Sequence, residues 1–307
     1  MLKIQELTKV FPGSVAALTD VSLDIAPGMF GLLGPNGAGK STLMKILAGL
    51  LAPTSGRVAL DDVDVLKRPD YVKERLGYLP QEFGLYPHLT GRKMLEFLLD
   101  VKGVRGKAST RELADALLAE VNLTYAADRK VGTYSGGMRQ RLGLAQAIAG
   151  DPRLVIVDEP TAGLDPQERQ RIYRLLSELG KSRIVILSTH LVEDVAVLCP
   201  RFAVLRAGRV VRVTSPSEAR RELDGRIFEG SVAEQDLDEV YASYSVTQAF
   251  LVEGKMHVRV YLDDAAPPSS FAPVPATLED AFFLMMSGAR PGAASGPNAA
   301  NAASRAA

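Results

Sequence analysis

The sequence predicts an α/β protein: a phosphate-loop core with an N-terminal antiparallel β subdomain and a helical insertion, plus a small α+β C-terminal domain. Three observations predict it. Apolar runs at Met29–Leu33, Leu154–Val157, Arg183–Leu187 and Phe202–Leu205 alternate with helical patterns at 166–179 and 191–198, as in layered α/β folds. The first run meets a glycine-rich loop and then Thr42–Leu50, where Leu43, Ile46, Leu47 and Leu50 recur at helical spacing. At 307 residues the chain is long enough for one sizeable core and an appended unit.

In chain order, 3–8 and 15–25 alternate apolar with polar residues, broken by Pro12-Gly13 and closed by Pro27-Gly28, which reads as short, partly exposed antiparallel strands. A strand at Gly77–Pro80 precedes a helical insertion over about 90–150. There Leu95, Leu98 and Leu99 pattern a helix after Thr90, and Leu113, Leu117 and Leu118 another after Ser109. Beyond Gly208 come a strand, a helix opened by Ser215-Pro216 and a capping box at Ser231 with Glu234. A hairpin (246–252, Gly254, 256–261) and a final helix, Leu278–Met286, started by Thr277 with Asp280, complete the small domain. These readings divide the chain into a larger α/β domain, 1–214, a small α+β accessory domain, 215–287, and an Ala-, Gly- and Pro-rich tail, 288–307, expected to be disordered.

Composition narrows the classes of function. Thirty-six Lys and Arg balance 36 Asp and Glu, so no net field draws the chain onto nucleic acid, and no nucleic-acid partner is expected. One cysteine, Cys199, excludes an internal disulfide framework and a cysteine-based zinc site, which suits a reducing, cytoplasmic setting. No apolar run approaches the length of about 20 residues that crosses a bilayer, so any membrane would be spanned by another chain.

Chemistry concentrates at two places. Gly34-Pro35-Asn36-Gly37-Ala38-Gly39-Lys40-Ser41 fits G-x-x-x-x-G-K-[ST] between an apolar strand and a helix. Backbone N–H groups of such a loop and the following helix N-terminus, from Thr42, face nucleotide phosphates. Lys40 would bridge the β and γ phosphates, and Ser41 would give a hydroxyl to Mg²⁺. Downstream, Leu154–Val157 ends in Asp158-Glu159, placing Asp158 to face the metal and Glu159 to face the attacking water. His88 and His257 read as surface or packing residues, and Cys199 as a small core residue.

Tyr134-Ser135-Gly136-Gly137-Met138, followed by Arg139-Gln140-Arg141, closely resembles the signature of the ATP-binding subunits of ABC transporters. The resemblance extends in family order over residues 11–190. Phe11 resembles the adenine-stacking aromatic, and Gln81 the glutamine-loop residue that reaches metal or water. Ala162-Gly163-Leu164-Asp165 resembles the D-loop, and His190 in Ser188-Thr189-His190 the switch histidine. Tyr134 and Met138 depart from the usual leucine and glutamine, and Ala162-Gly163 from serine-alanine.

The resemblance implies an ATPase using ATP and Mg²⁺, with Ser135, Gly136 and Gly137 facing the ATP of a second subunit in a homodimer. It also implies a separate integral membrane permease docked near residues 82–102, export, and a place on the cytoplasmic face of the membrane. The alternative is a soluble ATPase of the same type acting on another macromolecule. Members of that kind carry long heptad arms or two cassettes, and neither pattern occurs in this sequence. A nucleotide-sensing module without turnover is disfavoured by Glu159 and His190.

Overall fold

The computed structural model describes residues 1–104, 108–263, 267–268 and 270–288. The chain divides between Val210 and Val211, ahead of the boundary expected at 214. The expected tail lies, after Gly288, outside the described residues.

The first unit opens with β1 (Leu2–Phe11) and β2 (Val15–Ile25), which pair antiparallel from Leu2 opposite Ile25 to Phe11 opposite Val15. Leu2 and Ile4 on β1, and Val21, Leu23 and Ile25 on β2, are buried with the period of two, while register shifts after Ile4 and between Val21 and Leu18 bring Leu7 and Leu18 into the same core. β3 (Gly28–Leu33) leads into α1 (Lys40–Leu47). The sequence shows no clear sign of the next elements, β4 (Ser55–Leu60), β5 (Val63–Asp64) and α2 (Pro69–Arg75). β4 joins the free edge of β1, giving a sheet ordered β2-β1-β4-β5.

After α2 come β6 (Leu76–Leu79), the helical insertion α3 (Gly91–Lys102), α4 (Thr110–Glu120) and α5 (Gly136–Ile148), and then β7 (Leu154–Asp158). α6 (Pro166–Gly180), β8 (Ile184–Thr189), α7 (Val192–Leu198), β9 (Arg201–Arg206) and β10 (Arg209–Thr214) follow. The larger sheet is ordered β10-β9-β3-β8-β7-β6, and β3 runs parallel to both β8 and β9, as β7 does to β6 and β8. Every residue of β7 and β8 is buried, which explains their unbroken apolar sequences. Leu43, Met44, Ile46 and Leu47 of α1 share one core with Ile4 and Val21 of the small sheet and Ile156 and Ile186 of the large one. Each such side chain contributes about 1.5–3 kcal/mol by leaving water.

The insertion is fastened by polar side chains. Thr90 caps α3, and Ser109 with Glu112 forms a capping box on α4. Arg141, fully buried on α5, donates to Val121 O at 3.2 Å and Asn122 O at 2.8 Å, tying α5 to the end of α4.

The second unit begins within β10. It holds α8 (Pro216–Arg221), β11 (Ile227–Val232), α9 (Leu237–Ser243), β12 (Ser245–Val252), β13 (Lys255–Tyr261), β14 (Ala272–Pro273) and α10 (Leu278–Ser287). Its antiparallel sheet, β12-β13-β11-β14, buries Val246, Val258, Val260, Leu262 and Phe271 together. Capping boxes at Ser215/Glu218 and Thr277/Asp280 start α8 and α10.

The box expected at Ser231 and Glu234 is absent. Ser231 is a strand residue opposite His257, because β11 keeps pairing through Val232 and Met256, and Ala233 caps the short turn that precedes α9. Pairing along the whole strand outweighs one local cap.

Candidate active site

The parallel strands β3, β7 and β8 end at one edge, and the candidate residues lie on the segments that leave them. Gly39 has φ of +104°, and a Cβ there would lie 2.5 Å from Ala17 O, so only glycine lets the loop pass beneath β2. No side chain caps the N-terminus of α1, so its leading N–H groups remain available to an anion. Lys40 curls back and donates from Nζ to Gly34 O at 2.6 Å and Pro35 O at 3.1 Å. Burial pushes its amine below the ordinary value, while the charges of Glu159 and Asp158 pull it upward. Pro35, Asn36, Gly37 and Ser41 are exposed, Thr42 is half-buried, and Ala38 is buried.

Asp158 ends β7. Glu159 follows in left-handed backbone, φ 49°, held by its N–H donating to Ser188 O at 2.8 Å. That conformation costs a non-glycine residue about 1–3 kcal/mol, so the surrounding structure must enforce it. Three distant parts of the chain converge on its carboxylate. Gln81 donates from Nε2 to Oε2 at 3.2 Å, His190 Nδ1 lies 3.0 Å from Oε1, and Lys40 Nζ lies 3.9 Å from Oε1.

Asp158 and Ser188, paired in register across β7 and β8, each hold a buried oxygen without a hydrogen-bond partner: Oδ1 of the carboxylate and the serine Oγ. Burial and the charge of Asp158 push the nearby Tyr78 phenol up to about 12. Among the described residues no three His, Cys, Asp or Glu side chains gather to hold an ion. One carboxylate with an unmatched oxygen and one hydroxyl, at Ser41, fit a hard cation that takes its other ligands from phosphates and water.

The remaining predicted residues are not bonded to this cluster, although Gly136 lines the same groove as Gln81. Ser135 caps α5 by accepting from Met138 N at 3.2 Å, and a Cβ on Gly137 would meet Glu168 Oε2 at 2.4 Å, so that glycine allows α5 and α6 to approach. Asp165 caps α6, its Oδ1 accepting from Glu168 N at 2.8 Å. Phe11, 36% exposed, has Lys9 Nζ 5.1 Å from its ring centroid. Among the described residues no hydrogen bond or ion pair joins Phe11, Ser135, Gly136, Gly137 or Asp165 to the phosphate loop or Glu159. His88 touches Tyr86, and His257, in the second unit, sits between Ser231 and Glu229.

Sequence reasoning gave no role to Ser188 and Thr189, named only as neighbours of His190, and missed Thr161, Tyr173 and Asp194, which with Thr189 form a buried set behind the site. Asp194 follows Glu193 in a helix start rich in acids, where it reads as an ordinary surface residue.

A phosphate loop at the carboxyl edge of a parallel sheet, its lysine 3.9 Å from the carboxylate that follows a neighbouring strand, is the arrangement of the phosphate-loop ATPase class. A family match described as ABC transporter covers residues 18–162. Nod factor export ATP-binding protein I of Burkholderia pseudomallei (strain 1710b) is 40% identical over 198 residues, 64% of this chain and 65% of that protein. ABC transporter A family member 4 of Arabidopsis thaliana is 33% identical over 270 residues, 85% of this chain, which spans only 27% of that relative's length. The dimeric, post-hydrolysis structure of the ATP-binding cassette MJ0796 bound to ADP and Pi superposes with a TM-score of 0.64. It is 30% identical, over 70% of this chain and 98% of that one. The chain belongs to the ABC transporter family and is an ATPase cassette of that family. No helix among the described residues is long and apolar enough to cross a membrane.

Proposed function

We propose that the chain is the ATP-hydrolysing subunit of a membrane exporter, in which two copies close around two ATP molecules and drive a separate integral membrane permease. The observation that carries this reading is the convergence of Lys40, Gln81 and His190 on Glu159. Export is supported by the Nod factor export relative, and pairing by the dimeric cassette of similar fold. A groove of about 600 Å³ lined by Gln81, Phe83, Leu85, Gln140 and Leu164 supports a docking place for a permease segment beside the γ-phosphate sensor. An apolar partner surface suits such a groove.

In the reaction, the Lys40 ammonium exchanges two loop carbonyls for β- and γ-phosphate oxygens, and the loop N–H groups hold the same phosphates. Ser41 and Asp158 would hold Mg²⁺, which neutralises charge on those phosphates. Glu159 accepts the proton of the water whose oxygen attacks the γ phosphorus, and ADP leaves with the bridging oxygen.

His190 imposes a condition. A neutral ring that gives its Nδ1 proton to Glu159 has none on Nε2, so it donates to the γ phosphate only when doubly protonated or after releasing Glu159. Nucleotide entry that breaks the contact between His190 and Glu159 would let a neutral ring turn its proton to the γ phosphate and would free the base at the same moment.

Glu159→Gln tests the reading. The amide keeps the shape but cannot accept the proton, so ATP binding should persist while hydrolysis falls by about a hundredfold or more, the scale of general-base catalysis. A long-lived ATP-bound dimer should appear in size-exclusion chromatography. Turnover close to wild type would remove Glu159 from the role of base.

A further inference from the structure

Behind the site lies a carboxylate that the chemistry above does not use. Asp194, near the start of α7, is 0% exposed, and hydroxyl groups occupy both of its oxygens. Oδ2 accepts from Thr161 at 2.6 Å and from Thr189 at 2.8 Å, while Oδ1 accepts from Tyr173 at 2.6 Å. Burial first, then the hydrogen bond to Asp194, holds the Tyr173 phenol well above its ordinary range, so it stays a donor. Neutral donors offset only part of the cost of burying a charge, and well-packed apolar residues often stabilise such a place equally well. What the carboxylate adds is geometry.

Two of the three donors sit on segments that reach the site, and the third sits on α6. Thr161 stands two residues after Glu159, Thr189 immediately precedes His190, and Tyr173 is on α6, the helix capped by Asp165. The Thr189 hydroxyl also accepts from Leu191 N at 3.0 Å, so the backbone is fastened on both sides of His190. Thr161 is fastened in turn, its carbonyl accepting from Leu164 N at 3.2 Å. One carboxylate thus ties the segment of the base to the segment of the histidine, and the left-handed backbone of Glu159 requires such restraint.

We propose that Asp194 is a positioning residue for hydrolysis: by accepting from Thr161, Thr189 and Tyr173 it fixes the spacing between Glu159 and His190. This rests on the reading of Glu159 as base and His190 as γ-phosphate donor. Asp194 is buried from solvent and acts through its three partners.

Thr189→Val tests it, because valine keeps the branch and volume and removes the hydroxyl, whereas Thr189→Ser keeps the hydroxyl. In the valine variant kcat should fall by about ten- to a hundredfold, the scale of a misplaced reacting group, with KM for ATP unchanged, and serine should restore it. The chain has three histidines, so imidazole NMR of nucleotide-free protein offers a second readout. The His190 resonance, assigned through His190→Gln, should move in Thr189→Val and not in Thr189→Ser, with His88 and His257 unmoved. Asp194→Asn should change kcat in the same direction if it folds.

A lowered melting temperature with kcat per folded molecule within about twofold of wild type, and an unmoved His190 resonance, would overturn the proposal. Glu159→Gln is measured alongside. If it blocks turnover while Thr189→Val does not, only the positioning role falls. If it turns over normally, the assignment of the base falls and the positioning role with it.

Discussion

Lys102 carries its charge into a place with little water. Its Nζ donates to Ala149 O at 2.8 Å, Ala147 O at 3.3 Å and Gln146 O at 3.4 Å, carbonyls that the end of α5 leaves without helical partners. Burial pushes the amine down from 10.5 to about 8. Between those values the unfolded chain binds the proton that the folded chain has released, so stability rises with pH across the window. Lys102→Met removes this dependence. In urea unfolding, the stability of wild type relative to the variant should increase from about pH 7.5 to about pH 10, and a flat difference would show that Lys102 does not titrate there.

Elements whose formation depends on near neighbours are legible in the sequence, and those that depend on distant ones are not. Thr90, Ser109, Ser215 and Thr277 all cap the helices read from them, because a cap needs only its own next three residues. β3, β7 and β8 announce themselves by continuous apolar sequence. β4 does not: its first three residues are exposed, and only pairing with β1 makes it a strand. Ser231 shows the converse, a good local signal overruled by sheet partners. At the site, the phosphate loop and Asp158-Glu159 are legible as motifs, whereas the meeting of Glu159 with His190, or of Asp194 with three hydroxyls, depends on how β7, β8 and α7 are placed in space. The segment after Gln81 belongs to this scale too. Leu85 is half-buried and Tyr86 50% exposed, and the groove beside them is proposed to take the permease. Leu85→Asp and Tyr86→Glu should abolish ATP-driven transport in reconstituted vesicles while the isolated subunit keeps its ATPase activity, and transport surviving both would place docking elsewhere.

In one chain the phosphate loop, Glu159, Gln81 and His190 form a cluster that the cap of α5 does not join. In the proposed head-to-tail pair of chains, each Ser135 would meet the other's phosphate loop. Lys40→Ala removes the phosphate-bridging charge, and Ser135→Arg blocks the cap where the partner's γ phosphate would enter. Each variant alone should be inactive. Mixing them confines both lesions to one shared site and leaves the other intact, so partial ATPase activity should return. No recovery, in mixed dimers shown to form and bind ATP, would count against sharing, or would show that both sites must act together.

Cys199 closes α7 in the core, close enough to β3 that a Cβ added to Gly31 would lie 3.1 Å from its Sγ. Burial, reinforced by the charge of Asp194, holds the thiol far above its ordinary range, so almost none of it is the reactive thiolate at neutral pH. It is also the chain's single cysteine. Maleimide and nitroxide reagents therefore meet a silent background in the folded protein. A cysteine introduced at an exposed position on α3, such as Val101, 71% exposed, would carry a fluorophore or spin label by itself. Distances between labels on two copies would then follow closing and reopening through successive turnovers, with the native thiol left in place.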